Sequence, residues 1–321
     1  MKTKIAIGCF IQWYEVDMIH EYFNSLLSAI DYYDKTSVII DVTICNDTTL
    51  EQPISKVDEI SRPINDQIHS IWGKDYNIKW RAKESLYTIA DYRREFNTNY
   101  CDTVDVLVWG ESDMLVPKQM FMSIDLLHQQ QSSITPKYIS TFAICKMWDS
   151  SWQPLEHPEF TTKPFIEGDD KNWWNIPYTM SEAEMNAFND RIDDLSIKLI
   201  HPHKFNGCGL VISSEVIKSG VNIPKSSFFI HEDTSFMIML QKILGDIPQY
   251  HFANILVVHN RKHKNKRKYV IGESDTDYID SKRKRFEWYN IANKMCEQNN
   301  NNLFNAKYKS YTWEDVWNRL T

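Results

Sequence analysis

The sequence predicts an α/β protein built on a doubly wound, mostly parallel sheet, and two patterns support this fold class. Short apolar runs rich in β-branched residues recur along the chain, as expected for strands that are buried on both faces. Segments with apolar residues at helical spacing separate these runs, and strands that alternate with helices favour parallel pairing. The chain has 321 residues, 42% of them hydrophobic, which is enough for one large core.

The first half of the chain contains four predicted strands and two predicted helices. The predicted strands lie at 4–11, 37–47, 76–80 and 105–110, and the predicted helices lie at about 15–33 and 84–96. Ligands of doubly wound sheets gather at the carboxyl ends of the strands. Polar residues at those ends are therefore the first candidates for a functional site.

The second half continues this alternation around a segment of different character. Further predicted elements are a helix at 118–130, a strand at 137–148, a strand and short helix within 205–220, a helix at 231–245 and a strand at 250–260. Residues 149–203 are acidic, rich in tryptophan and poorly periodic, and we interpret them as an insertion over one face of the core. We therefore predict a core at 1–260 and a C-terminal region at 261–321, with a basic segment and C-terminal helices, the last at 309–320.

The charge of the chain is unevenly distributed. The net charge is −7, yet the segment from Arg261 to Arg285 holds ten basic and four acidic residues, a local excess of six positive charges. This distribution indicates a local contact with a polyanion rather than a wholly basic nucleic-acid binder. The alternative is that the segment is a solvated loop and helix face.

Three features favour a cytoplasmic protein. The six cysteines include no C-x-x-C pair, which indicates reduced thiols. No apolar run is long enough to cross a bilayer. The N-terminal apolar run lacks a small-residue cleavage site, so we interpret it as a first strand rather than a signal peptide.

Two carboxylates one residue apart follow the predicted strand at 105–110. Glu111 and Asp113 stand where the apolar run stops, and a strand end is a rigid mount for side chains. Carboxylate oxygens bind divalent cations, which can bridge a diphosphate and neutralise the charge of a leaving group. The alternative is a polar turn in which Asp113 caps the following helix, with Pro117 in its first turn.

Two further motifs carry titratable side chains. Glu232 and Asp233 open the predicted helix at 231–245, where acidic residues either complement the helix dipole or supply a general base for an acceptor hydroxyl. His259 ends the late predicted strand and is either a structural histidine or an imidazole ligand of a metal. Taken singly, each motif is compatible with a purely structural role.

The order of the motifs is more specific than any one of them. A buried strand is followed by a strand ending in Asp47, a strand ending in acid-x-Asp, the Gly-rich sequence NGCG at 206–209, a helix that begins with Glu-Asp and a strand ending in His259. From about residue 4 to 260, the insertion excepted, this order resembles the GT-A class of nucleotide-sugar glycosyltransferases, especially the large family-two group. The Q-x-x-R-W pattern of processive polymer synthases is missing, so a processive polysaccharide synthase is not expected.

The resemblance implies a role for each matching residue. The ligands of an Mn²⁺ or Mg²⁺ ion would be Asp113, Glu111 and His259. Asp233, with Glu232 beside it, would be the base of an inverting transfer to an acceptor hydroxyl. The nucleotide-sugar donor, with a UDP-sugar as the leading choice, would contact Asp47, Asn46, Glu15, Glu111 and Arg94, with Arg93 as the alternative to Arg94.

Two classes of acceptor stay open, a hydroxymethylated base in DNA and a glycan or glycolipid. Some small viral glycosyltransferases act on such DNA, and the protein would then work in the host cytoplasm. The basic segment that begins at Arg261 and Lys262 would suit DNA, with an affinity that falls steeply with salt. Trp173 and Trp174 either stack on an exposed base or a sugar face, or belong to the core.

Rival classes of function lack their own motifs or rest on fewer residues. A sugar nucleotidyltransferase needs a Gly-rich phosphate loop after its first strand, where this chain has Gly8 alone. The chain also has no G-x-G-x-x-G motif, which weighs against a nicotinamide-dependent enzyme. The non-enzymatic alternative is a polyanion- or nucleic-acid-binding protein that uses residues 261–285, while its carboxylates only cap helices. Metal-dependent nucleotide binding separates the enzyme from that alternative.

Overall fold

A computed structural model of the chain describes residues 2–12, 15, 18–45, 66, 72–83, 87–144, 150–157, 159, 180–227, 231–259 and 286–302. Within these ranges, no helix is both long enough and apolar enough to span a bilayer.

Nine strands of the described chain form the central sheet. They are β1 (Ile5–Gln12), β2 (Val38–Cys45), β3 (Asn77–Lys83), β4 (Val106–Glu111), β5 (Met114–Leu115), β6 (Ile139–Ile144), β7 (Ile197–Leu199), β8 (Leu210–Ser213) and β9 (Gln249–His259). Their order is β3-β2-β1-β4-β8-β6-β9-β5, and β7 pairs with β9. Only β5, β7 and β8 run against the other six strands, so the predicted mostly parallel sheet is confirmed.

Seven α-helices are described. They are α1 (Ile19–Tyr33), α2 (Ile89–Tyr100), α3 (Met120–Gln131), α4 (Glu182–Asn189), α5 (Ser214–Lys218), α6 (Glu232–Leu244) and α7 (Phe286–Asn301). Since successive strand residues point to opposite faces, the sheet has two apolar sides. Ile7 and Val108 join one core with α1 and α3, and Ala6 and Leu107 join the other with α2, α5 and α6. Helices therefore cover both faces, as a doubly wound sheet requires.

Two described elements within 149–203, α4 and β7, lie along β9. Strand β7 pairs antiparallel with β9, and Asn189 at the end of α4 exchanges hydrogen bonds with the backbone of Leu256, 2.8 and 3.0 Å long. Neither α4 nor β7 was predicted, because their residues have little apolar periodicity of their own. The predicted helix at 309–320 and the basic segment at 261–285 lie outside the described residues.

Candidate active site

A short turn after β4 brings the carboxyl end of β4 close to the carboxyl end of β9. After Glu111 the chain reverses, and β5 pairs antiparallel with the end of β9, which sets Met114 opposite His259. This pairing brings three side chains together. The Nε2 atom of His259 lies 3.0 Å from Oε2 of Glu111 and 3.0 Å from Oδ1 of Asp113.

The turn that carries Glu111 and Asp113, here called the carboxylate turn, holds one partly buried and one buried carboxylate. Asp113 is only 2% exposed. Burial would raise the pKa of Glu111, but His259 and Arg93 together lower it to about 2. Glu111 is therefore ionised at neutral pH in a place from which water is largely excluded.

Arg93 links this turn to the head of α6. A capping box between Thr88 and Asp91 begins α2 and places Arg93 on its buried side. The guanidinium donates to Glu232 at 2.6 Å and to Glu111 at 2.8 Å. Burial lowers the pKa of Arg93, but these two carboxylates outweigh that effect, and the group stays charged.

The first residues of α6 are two carboxylates, Glu232 and Asp233, with different partners. Burial raises the pKa of Glu232 to about 7, and Asp233 adds to this rise although Arg93 opposes it. Oδ1 of Asp233 accepts the Thr234 N–H at 2.7 Å, which fixes the side chain and leaves Oδ2 towards Gly207. His231, the residue before the helix, has a left-handed backbone with φ 60°, so the turn that aims Glu232 and Asp233 is strained.

Gly207 leaves the space in which these groups meet. A Cβ atom there would lie 2.7 Å from a nitrogen of Arg93, too close for an ordinary contact. It would also lie 3.4 Å from Oδ2 of Asp233 and 3.4 Å from Oε1 of Glu111. The two carboxylate oxygens are therefore no further apart than twice that distance, and the site is one cluster.

Side chains from the turn and from the end of β9 offer ligands for a divalent cation. Glu111 and Asp113 offer carboxylate oxygens and His259 offers an imidazole nitrogen, the ligand types that bind ions such as Mn²⁺. Among the described residues, the three potential ligands whose atoms all lie within 4.8 Å of one another are Glu111, Cys208 and His259. Asp113 contacts His259 at 3.0 Å but is not a member of this group. The sequence prediction did not include Cys208, although the NGCG motif marked its loop.

Two residues that were predicted to bind the donor, Arg94 and Glu15, form hydrogen bonds with the backbone elsewhere. Arg94 donates to the carbonyl oxygens of Ile223 and Pro224, at 2.8 and 3.0 Å, so Arg93 is the arginine of the site. The carboxylate of Glu15 lies beyond the end of β1 and accepts the Gln12 N–H at 3.1 Å. The remaining predicted donor and acceptor residues lie outside the described part of the chain, namely Asn46, Asp47, Trp173, Trp174, Arg261 and Lys262.

Comparison with known proteins finds likenesses in structure alone. No family model and no curated protein matches the sequence. The chain is similar to S. aureus TarS 1-349, with 9% identity over 95% of this chain and 73% of that one, and a TM-score of 0.49. It is also similar to a glucosyl-3-phosphoglycerate synthase from Mycobacterium tuberculosis in complex with Mn²⁺, UDP-glucose and phosphoglyceric acid, with 9% identity over 83% and 75% of the chains and a TM-score of 0.41.

A third similar structure is a 4-diphosphocytidyl-2C-methyl-D-erythritol synthase from Anaerococcus prevotii DSM 20548. Its identity is 7% over 79% of this chain and 89% of that one, with a TM-score of 0.38. Because all three scores and identities are low, function has to be inferred from the residues of the site itself.

Proposed function

We propose that the chain is a metal-dependent glycosyltransferase that moves a sugar from a nucleotide-sugar donor to an acceptor hydroxyl with inversion. One observation carries this proposal. Glu111, Asp113 and His259 converge at strand ends, and Asp233 faces the same small space. A cation site beside a separate carboxylate is what such a transfer needs, because the leaving diphosphate and the acceptor proton require different groups.

The carboxylate turn would hold the donor's diphosphate. Asp113, Glu111 and His259 would bind Mn²⁺ or Mg²⁺, and the ion would neutralise charge on the departing nucleoside diphosphate. Arg93 is buried and already donates to Glu111 and Glu232. We therefore assign Arg93 the role of positioning these carboxylates rather than binding the donor.

Asp233 would be the general base. Its Oδ1 atom is held by the Thr234 N–H, so Oδ2 is the atom available to an acceptor. In the proposed step, Oδ2 takes the proton of the acceptor hydroxyl while the hydroxyl oxygen bonds to the anomeric carbon. The bond from that carbon to the diphosphate oxygen breaks, and direct attack inverts the anomeric centre. An NMR assignment of the product that shows retained configuration would contradict this step.

The proposal also includes the acceptor and the nucleobase of the nucleotide-sugar donor. A UDP-sugar donor is the choice that the motif order favours. A modified DNA base and a glycan stay the two acceptor classes, because the residues predicted to contact them, Trp173, Trp174, Arg261 and Lys262, lie outside the described chain. A salt-sensitive complex with duplex DNA, lost when 261–268 is neutralised, would favour DNA.

The first test is a thermal-shift panel with UDP, GDP, CDP and TDP, each with and without Mn²⁺. We expect one nucleotide to raise the melting temperature only when the metal is present. The Asp113→Asn variant should lose this shift because it lacks one of the carboxylates of the turn. The matched control is Asp190→Asn, which removes an exposed carboxylate that pairs with Lys118 at 2.6 Å, and it should keep the shift.

Two results would contradict the proposal. Flat traces for all four nucleotides would favour the non-enzymatic polyanion-binding alternative. An unchanged shift in Asp113→Asn would remove the carboxylate turn from the nucleotide site.

A further inference from the structure

The loop NGCG, residues 206–209, holds a thiol at the edge of the carboxylate turn. Cys208 is only 3% exposed, and its sulfur lies within 4.8 Å of a carboxylate oxygen of Glu111 and a ring nitrogen of His259. An ion at the centre of three atoms so spaced lies at most about 2.8 Å from each, so side-chain shifts of about 0.5 Å bring all three within the usual metal–ligand bond length of about 2.0 to 2.3 Å. A buried thiol ordinarily acts as a small apolar group, but the thiol of Cys208 lies beside two potential metal ligands.

The loop backbone is fixed on both sides of this thiol. The Asn206 side chain accepts the Cys208 N–H at 3.0 Å and donates to the Cys208 carbonyl at 3.2 Å. The Gly209 N–H donates to the Trp109 carbonyl at 2.8 Å, and Gly209 has a left-handed φ of 71° that favours glycine. The Cβ of Cys208 is therefore held in one place relative to β4, which carries Glu111.

Three other described thiols have hydroxyl, amide or backbone carbonyl partners. Cys45 and Cys101 donate to the backbone carbonyls of Tyr87 and Thr98, and Cys296 contacts Ser235 across the α6–α7 interface. None of these three belongs to a group of potential metal ligands among the described residues. Cys208 differs because a carboxylate and an imidazole stand beside it.

We propose that the sulfur of Cys208 is a further ligand of the metal and that it selects the ion. This proposal rests on the proposed function, because Glu111 and His259 are the other ligands of the same ion. A thiolate is a soft ligand that suits Zn²⁺, Co²⁺ and Cd²⁺, whereas Mg²⁺ is bound by oxygen. On binding, the S–H bond breaks, the S–metal bond forms and one proton passes to the buffer. The centre thus prefers thiophilic ions over Mg²⁺.

The test is spectroscopic and needs no turnover. Metal-free protein is titrated with Co²⁺, and the near-ultraviolet absorption is followed for the thiolate-to-cobalt charge-transfer band. We expect the band in the wild type and in the control Cys296→Ser, and its loss in Cys208→Ser. Cd²⁺ affinity, measured by calorimetry, should fall about tenfold or more in Cys208→Ser, the lower end of what a lost supporting group costs at metal sites. Mg²⁺ affinity should change less than about twofold, because Mg²⁺ binds oxygen.

The outcomes separate this proposal from the proposed function. Wild-type protein that binds Co²⁺ without the band overturns the role of Cys208 and leaves the glycosyltransferase proposal standing, and this result needs no variant to fold. A band that persists in folded Cys208→Ser also overturns it. If neither Co²⁺ nor Mg²⁺ binds, with or without UDP, both proposals fail together.

Discussion

Two clusters in which an arginine pairs with carboxylates differ in their balance of charge. In the Asp41 cluster, one fully buried carboxylate on β2 receives two hydrogen bonds from Arg81, 3.0 and 3.1 Å long. The hydroxyl groups of Tyr92 and Tyr100 also donate to it, at 3.0 and 2.7 Å. One negative charge thus meets one positive charge and two neutral donors, and the cluster is complete.

The Arg93 cluster at the strand ends is not balanced in this way. Two groups that can carry positive charge, Arg93 and His259, face a larger number of carboxylates. The carboxylates are Glu111, Asp113, Glu232 and Asp233. Arg93 is shared between Glu111 and Glu232. Burial raises the pKa of Glu232, whereas Glu111 stays ionised.

The contrast separates a structural ion pair from a binding site. A buried charge with all its partners in the chain mainly holds the fold together. An excess of buried carboxylates destabilises the folded chain until a cation joins them, and such perturbed clusters gather at functional sites. Substitutions in the Arg93 cluster should therefore impair function more than stability, and substitutions in the Asp41 cluster should do the reverse.

Asp233→Asn should break the function of the Arg93 cluster without breaking the fold. Asparagine cannot accept the acceptor proton, so turnover should fall by about 10² to 10⁴, the usual contribution of a general base. The metal-dependent nucleotide shift should persist, because Asp233 is not among the proposed ligands. The matched control is Asp246→Asn, which changes an exposed carboxylate just beyond the other end of α6. Loss of the nucleotide shift in Asp233→Asn would instead assign this residue to donor binding.

Asp41→Asn should destabilise the fold without changing the function. The substitution takes a buried carboxylate from its donors, but Arg81 is 31% exposed and reaches solvent, so the free energy of unfolding should fall by about 1 to 3 kcal/mol. The control Asp31→Asn removes a carboxylate that pairs with Lys35 on the surface, and it should leave the stability nearly unchanged. Denaturant titration measures both. Full stability with lost turnover in Asp41→Asn would show that the Asp41 cluster is functional after all.

Much of the fold and part of the site could be predicted from the sequence. Strands β1, β2 and β4 consist mostly of apolar residues, so their positions were clear before their partners were known, whereas β3 has a weaker pattern. The acid-x-Asp motif, the Glu-Asp helix start and His259 were found for the same reason, since each ends or begins a periodic segment. The 3.0 Å contacts of His259 with Glu111 and Asp113 depend on tertiary structure, because β5 and β9 pair across a long stretch of chain.

Other parts could not be predicted because nothing local marks them. Arg93 and Arg94 are adjacent, and only the packing of α2 turns one towards Glu111 and the other towards the carbonyl of Ile223. Cys208 resembles any buried cysteine until its loop is placed beside His259. Strand β7 has only three residues, two of them exposed, so its pairing with β9 leaves little pattern in the sequence.

The pH dependence of stability should reveal the excess charge of the Arg93 cluster. The pKa of Glu232 rises from 4.5 to about 7 on folding, so the folded chain holds a proton that the unfolded chain releases in this window. Stability is then highest below pH 4.5 for this group and falls as pH rises through 7. The groups that face Glu232 are Arg93, Asp233 and Glu111. The total effect is at most about 3 kcal/mol.

The test compares Glu232→Gln with wild type by denaturant unfolding of the metal-free protein at several pH values. The variant should lose the fall in stability between pH 4.5 and 7. The control Glu215→Gln removes an exposed carboxylate on α5 that pairs with Lys218, and it should keep the wild-type slope. An unchanged slope in Glu232→Gln would mean that Arg93 neutralises Glu232 fully, and the contrast with the Asp41 cluster would weaken.

Gly207→Ala should perturb the Arg93 cluster by shape alone, without changing any charge. The new Cβ would lie 2.7 Å from a nitrogen of Arg93, whose guanidinium also stacks 4.7 Å from the ring centre of Trp109 and has little room to move. Overpacking of this kind costs about 1 to 3 kcal/mol. Displacing Arg93 should also weaken metal binding, since Arg93 positions Glu111. The control Gly220→Ala adds a methyl group in open space at a left-handed φ of 92°, so it should reduce stability through backbone strain while metal affinity stays unchanged. Equal metal affinities in the two variants would show that Arg93 yields freely, and that charge, rather than shape, organises the site.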